Sequence, residues 1–389
     1  MTKKIRVLHF SSRSKDNCGV GKYQENFVNR YKDDDDLGIE TDFFDVSPYQ
    51  TRRMTQDEIN DVMHQLRQQL KDYDILHIQH EFGLYSGTEF AQLVETAKSM
   101  GKKVIVTVHL SPALAFKFKP REGVGLRSAM HVVRQRRLHG IFIKRHIEPM
   151  QRADLIITHN NAATKSLVGY GISKNRILQI KHPVLPQILP KQKSTEITEK
   201  LRKDDSDIIY STIGFMHKYK GVEDAMHALK FLPENYKLAI IGGMQPISDE
   251  KNIYNKIADL IDTINLKDRV YITGYVEDDD RLNALIRETD VCVYPYNNAY
   301  YGQVSSGALN LAFANERPVI AYPTDTFKES NDEFNQIVLT SAQAYYELAR
   351  ELQRVDVDEQ KKRIAQYAEK YSWDNAAQDM SETYHQLNS

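Results

Sequence analysis

Short runs of branched apolar residues alternate with stretches of helical periodicity along the whole chain. Ile5–Phe10, Ile75–Ile78, Val104–Val108 and Leu155–Thr158 read as buried strands in the first half. Ile208–Thr212, Leu238–Ile241, Val270–Ile272, Val291–Tyr294 and Val319–Ala321 read likewise in the second. Near-continuous apolar strands have no solvent face, so with helices between them they predict parallel sheets covered on both sides. The alternation restarts after His182-Pro183-Val184-Leu185-Pro186. Its prolines and the polar run Lys191–Thr195 make Leu185–Lys200 the expected linker. The pattern predicts two doubly wound α/β domains, residues 1–185 and 186–370. From Val357 onward no strand pattern remains, and the last helix is expected from about Trp373 to Leu387. Such sheets bind ligands outside the carboxyl ends of their strands, which places the expected site in a cleft between facing domains.

Composition narrows the class. A chain of 389 residues is too long for one core and, at roughly 150 residues per domain, fits two. Hydrophobic and charged shares of 41% and 27% are those of a globular protein, which excludes disorder and fibrous repeats. No window approaches the roughly 18 apolar residues of a membrane span. The start, Met1 to Phe10, runs from charged residues into a strand and has no cleavage-site pattern, so the chain reads as cytoplasmic. Two cysteines, Cys18 and Cys292, make neither a disulfide framework nor a thiolate metal site.

The net charge of −1 conceals an asymmetry: residues 1–189 carry +9 and residues 190–389 carry −10. Much of the excess lies in Lys117–Arg152, where ten Lys or Arg face only Glu122 and Glu148. Phe116, Phe118, Ile141 and Phe142 are interleaved with them. Two readings stand: a helix with a solvated basic face, or a patch for an anionic membrane or acceptor. Neither a nucleic-acid-binding motif nor a chain-wide basic excess accompanies the patch.

Five motifs carry chemistry. Cys18-Gly19-Val20-Gly21-Lys22-Tyr23 follows the first strand and opens a helix, where glycines let backbone N–H groups approach a phosphate or sugar. His77-Ile78-Gln79-His80-Glu81 ends a strand, but its histidines lack the spacing of a zinc site. His109 stands at the carboxyl end of another strand. In the second half, Gly214 to Gly221 joins a strand to a helix and offers Lys220 to a diphosphate. Ser305, Ser306 and Gly307 then make a hydroxyl- and amide-rich helix start, suited to an anion. Asp33–Asp36 reads as a solvated acidic turn, and no metal site is expected.

In this order the chain resembles glycosyltransferase family 4, of the GT-B fold, over nearly its whole length. The resemblance rests on Gly19-Val20-Gly21, Asp74–Glu81, Thr107-Val108-His109, Ala153–Thr158, Lys220-Gly221, Asp290–Pro295, Arg317–Ala321 and the ending Tyr371-Ser372-Trp373 through Tyr384. It implies a retaining, metal-independent transfer from a nucleotide-sugar donor held by the second domain to an acceptor held by the first. It also implies that residues 371–389 form a helix crossing back to the N-terminal domain. His109 matches the strand-end histidine that contacts the donor sugar, and Lys220 the cation at the diphosphate. Gly19, Gly21, Gly214, Ser305, Ser306 and Gly307 fall on the donor side, His80 and Glu81 on the acceptor side. No cofactor is implied. The partners are a nucleotide sugar and a glycan or lipid-linked acceptor, in envelope or exopolysaccharide synthesis, at or near the inner membrane face.

Two departures matter. Gln303 and Leu311, with Asn310 adjacent, stand where the family usually carries two glutamates, and no acidic residue occurs between Tyr294 and Asn315. Phe215 occupies the place of the usual phosphate-contacting arginine. These departures favour a competing reading, a catalytically silent GT-B subunit that stabilises a partner transferase. A sugar-nucleotide epimerase on the same fold is the third.

Overall fold

The computed structural model describes residues 4–11, 19–45, 54–85, 88–116, 126–184, 188–243, 251–297 and 306–389. The chain divides into two compact units: Met1–His182 together with Trp373–Ser389, and Pro183–Ser372.

The first unit is built on a six-stranded parallel sheet in the order β2-β1-β3-β4-β5-β6. Its strands are β1 (Ile5–Ser11), β2 (Ile39–Asp45), β3 (Ile75–His80), β4 (Lys103–Val108), β5 (Leu155–Thr158) and β6 (Ile177–Gln179). Alternate residues point to opposite faces, and the two faces differ in chemistry. On one, Leu8, Phe10, Leu76, Ile78, Val104, Val106 and Ile156 pack against Leu66 and Leu70 of helix Gln56–Leu70 and Leu93 and Val94 of helix Glu89–Ser99. Each such side chain contributes roughly 1.5–3 kcal/mol. The opposite positions include His9, His77, Gln79 and Thr107, all at most 1% exposed. They lie where helix Gly19–Asp33 and the C-terminal helix Trp373–Asn388 pack together. A buried polar face needs internal hydrogen bonds, and these helices supply several: Gln24 bonds to His9, and Tyr384 to His77.

The second unit repeats the plan in the order β12-β11-β10-β7-β8-β9, all parallel. Its strands are β7 (Ile208–Ile213), β8 (Tyr236–Ile241), β9 (Val270–Ile272), β10 (Val291–Tyr294), β11 (Val319–Ala321) and β12 (Ile337–Leu339). One apolar cluster joins Ile209, Ala239 and Cys292 to helices Glu196–Leu201, Asp279–Arg287, Gly307–Ala314 and Val357–Lys370. A second joins Tyr210, Leu238 and Val293 to helices Val222–Ala228 and Tyr345–Leu352 on the other face. Strand order reverses between β7 and β10, so their carboxyl ends are the switch point where this architecture binds ligands.

Every strand expected from the apolar runs is present, and β2, β6 and β12 are additional. The expected linker Leu185–Lys200 ends inside helix Glu196–Leu201, whose Ile197 and Leu201 are buried in the second core. Among the described residues no helix is long and apolar enough to cross a membrane.

Candidate functional site

In the first unit the strand ends gather histidines. His109 follows β4, and its main-chain N–H donates to the His80 carbonyl at 3.0 Å. Its ring Nε2 lies 2.8 Å from Gln79 Oε1. Tyr23, two residues beyond Gly21 in the helix opened by Gly19, meets the His109 ring edge-on at 4.9 Å between centroids. The same tyrosine ring touches His159, His182 and Trp373 at 5.1, 5.1 and 5.3 Å. Burial holds His109 well below the usual imidazole range and His159 down at about 3, with neighbouring histidines adding to both effects. These are neutral imidazoles. His109 commits Nε2 to Gln79, and His159 donates from Nδ1 to the Ile180 carbonyl at 2.9 Å, so each keeps one ring lone pair, the complement of a sugar hydroxyl rather than of a phosphate.

The two acceptor-side candidates behave differently. His80 points to the apolar face of the sheet and is fully buried, stacked on Tyr85 and edge-on to Phe90 and Phe82. Its Nε2 lies 3.2 Å from His146 Nδ1 in a π-helical stretch, Ile143–Ile147. His80 is thus packed among the aromatic rings of the first core. Glu81 is half-buried, its carboxyl pushed up by burial and partly restrained by the Gly83 N–H.

In the second unit the switch point carries charge and amides. After β7, Gly214 adopts φ +107 and its N–H donates to the Ile241 carbonyl at 2.9 Å. Gly221 adopts φ +66, and a Cβ there would lie 2.0 Å from the Pro295 carbonyl oxygen. Only glycine allows the loop to close this tightly on the end of β10. The Asn297 N–H donating to the Tyr219 carbonyl at 2.9 Å pins it further. So held, Lys220 donates to the Tyr296 hydroxyl, which lies 3.4 Å from Ser306 Oγ. Ser306 caps helix Gly307–Ala314 by accepting from the Leu309 N–H, leaving Gly307 and Asn310 in its first turn. Lys220, Ser306, Gly307 and Asn310 thus share one end of the sheet. Gln303 and Ser305 lie outside the described residues, as does Cys18. Phe215 stacks on Tyr275, centroids 5.8 Å apart.

Among the described residues no group of three or more His, Cys, Asp or Glu is placed to hold a metal.

Solved structures share this architecture. A glycosyltransferase from Rickettsia africae is similar with a TM-score of 0.71 at 15% identity, over 99% of this chain and 98% of that one. Anabaena HepE in complex with UDP-glucose gives 0.69 at 13%, over 98% and 100%. Sucrose-phosphate synthase from Thermosynechococcus elongatus gives 0.65 at 16%, over 99% of each chain. No curated protein matches the chain in sequence. Residues 193–371 match the family described as glycosyl transferases group 1. The chain has the GT-B fold, and its second unit resembles glycosyl transferases group 1.

The group 1 match spans the Lys220 loop, Tyr296 and the Ser306 cap, so the family signal and the cationic end of the sheet fall in the same unit. Sequence reading gave no role to Tyr296, one residue past the Asp290–Pro295 motif, to His159, or to Tyr23, the last residue of the motif that begins at Cys18. A signal existed: each is a polar aromatic residue within two positions of a glycine, proline or strand end that the motifs already marked.

Proposed function

We propose that this protein is a glycosyltransferase that moves a sugar, with retention, from a nucleotide-sugar donor to a glycan or lipid-linked acceptor, without a metal. The carrying observation is the Lys220–Tyr296–Ser306 chain at the start of helix Gly307–Ala314. As the bond from the anomeric carbon to the diphosphate breaks, its electron pair stays on the leaving oxygen. The Lys220 ammonium and the amides at the helix start meet that charge. The acceptor oxygen bonds to the anomeric carbon on the face just vacated, and its proton goes to the departing diphosphate. Gly214, with Gln303, Ser305 and Asn310, completes the donor side. Neutral His109, with Gly19 and Gly21, is assigned to the donor sugar, and His80 and Glu81 to the acceptor. HepE's complex with UDP-glucose supports a uridine diphosphate sugar as the first donor to try.

The test is a panel of nucleotide sugars scored by thermal stabilisation, since a ligand at 100 times its Kd adds about 2.7 kcal/mol. Donor turnover then follows, with the product anomer read by NMR and EDTA present throughout. Inversion, or activity lost to EDTA and restored by Mg²⁺ or Mn²⁺, overturns the corresponding part. The missing acidic pair between Tyr294 and Asn315 supports the second reading, a silent GT-B subunit. Stabilisation without turnover of any donor decides for it.

We further propose that the first unit docks on anionic membranes. Helix Leu126–Phe142 exposes Met130, Val133 and Leu138 at 56%, 67% and 43%, interleaved with exposed Arg134, Arg136 and Arg137. Apolar contact plus roughly 1 kcal/mol per basic residue near an anionic surface supports reversible attachment.

A further inference from the structure

A chain of polar groups runs beneath the first unit's sheet from the C-terminal helix to His109. Tyr384 Oη lies 2.7 Å from His77 Nδ1. His77 Nε2 lies 3.2 Å from Gln79 Nε2, and Gln79 Oε1 lies 2.8 Å from His109 Nε2. His77, Gln79 and Tyr384 are at most 1% exposed, so water does not substitute for any link.

The Gln79 amide sets the direction of the chain, because its nitrogen only donates and its oxygen only accepts. Its N–H meets His77 Nε2, which is therefore a lone pair and also receives the Thr107 hydroxyl, 2.8 Å away. The His77 proton is then on Nδ1, where Tyr384 Oη accepts it. The Gln79 carbonyl oxygen, which only accepts, requires the proton of His109 on Nε2. Nδ1 of His109 is left as the acceptor and has no hydrogen-bond partner among the described residues. Reversing Tyr384 would reverse every link and turn Nδ1 into a donor.

We propose that Tyr384 is a positioning residue for His109, fixing its Nε2–H tautomer through His77 and Gln79 so that Nδ1 accepts a hydroxyl proton from the bound sugar. Its catalytic consequence rests on the assignment of His109 to the sugar site; the tautomer itself does not.

The test is ¹⁵N-histidine labelling of the full chain, with ring tautomers read by long-range ¹⁵N–¹H correlation at pH 7.5. The expected wild-type result is His109 protonated on Nε2 and His77 on Nδ1. Tyr384→Phe keeps the ring and removes the hydroxyl. It should give His109 a mixture of tautomers and lower kcat three- to tenfold, with donor KM unchanged within twofold. Gln79→Leu, which breaks the chain at another link, should do the same. A purely structural role for Tyr384 would lower the melting temperature and leave the His109 tautomer alone. The proposal is overturned if wild-type His109 carries its proton on Nδ1, or if both variants keep the wild-type tautomer. If the tautomer shifts while kcat does not, the relay stands and the placing of His109 at the sugar is what fails.

Discussion

The Lys220 ammonium donates to the hydroxyl of Tyr296, a residue 76 positions further along the chain and 1% exposed. A lysine reaching into solvent loses side-chain entropy whenever it grips an anion. Held by a buried hydroxyl, and 4.5 Å from the centre of that ring, this one is already placed. Preorganisation of this kind lowers the cost of gripping a diphosphate, the role proposed for Lys220.

Lys220→Ala should therefore reduce turnover at least tenfold while the circular dichroism spectrum and melting temperature stay near wild type. A tenfold loss needs only about 1.4 kcal/mol of transition-state stabilisation, modest for a charge-assisted contact. Wild-type kinetics in this variant would remove Lys220 from the mechanism.

Gly221→Ala should be destabilising by more than about 2 kcal/mol, because left-handed backbone and a clash with the Pro295 carbonyl act together. Turnover should fall with it, since the same turn delivers Lys220. Gly140→Ala is the contrast: a helical glycine with nothing within 4 Å of its added Cβ should gain about 0.5–1 kcal/mol. Urea midpoints for the two variants check both signs.

Stability should depend on pH through the buried histidines. Burial holds His77 and His159 at about 3 and His146 at about 4, all below the unfolded value near 6.5. The unfolded chain thus binds more protons as pH falls below 6.5, and stability declines in acid. Each histidine should cost about 1 kcal/mol between pH 7 and 5.5. Above pH 7.5 the contribution is flat. A urea midpoint that stays constant from pH 7 to 5.5 would contradict this.

Wild-type protein should pellet with anionic vesicles at low salt and release as the Debye length shrinks below about 8 Å. Charge reversal at Arg134, Arg136 and Arg137 should abolish pelleting and leave turnover of a small soluble acceptor intact. Failure of the wild type to pellet at low salt leaves the helix as a solvated basic face.

The strands hidden from sequence reading, β2, β6 and β12, all lie at sheet edges. An edge strand is covered less completely, so β2 carries exposed Glu40 and Asp42 between its apolar residues and loses the unbroken run, Leu238–Ile241, that marks β8. β6 and β12 are three residues each. At the site, His109, Lys220, Gly221 and Ser306 were legible because strand-end glycines, histidines and caps have local causes. Tyr296, His159 and Tyr384 were not, because their importance lies in which distant group they touch. His77 and Gln79 left a trace: two polar residues at alternate positions of a strand that burial would otherwise make apolar.

The C-terminal helix also sets a schedule for synthesis. Trp373–Ser389 belongs to the unit begun at the N-terminus, with Pro183–Ser372 made in between. A ribosome adding roughly 5–20 residues per second takes about 10–40 s over those intervening residues. For that interval β3 has emerged without Tyr384 to satisfy His77, and Tyr23 and Phe27 lack the Trp373 ring that later packs on them. The nascent first unit waits with a polar-lined face uncovered while the second, continuous in sequence, closes its own core. The unit that starts first is finished last.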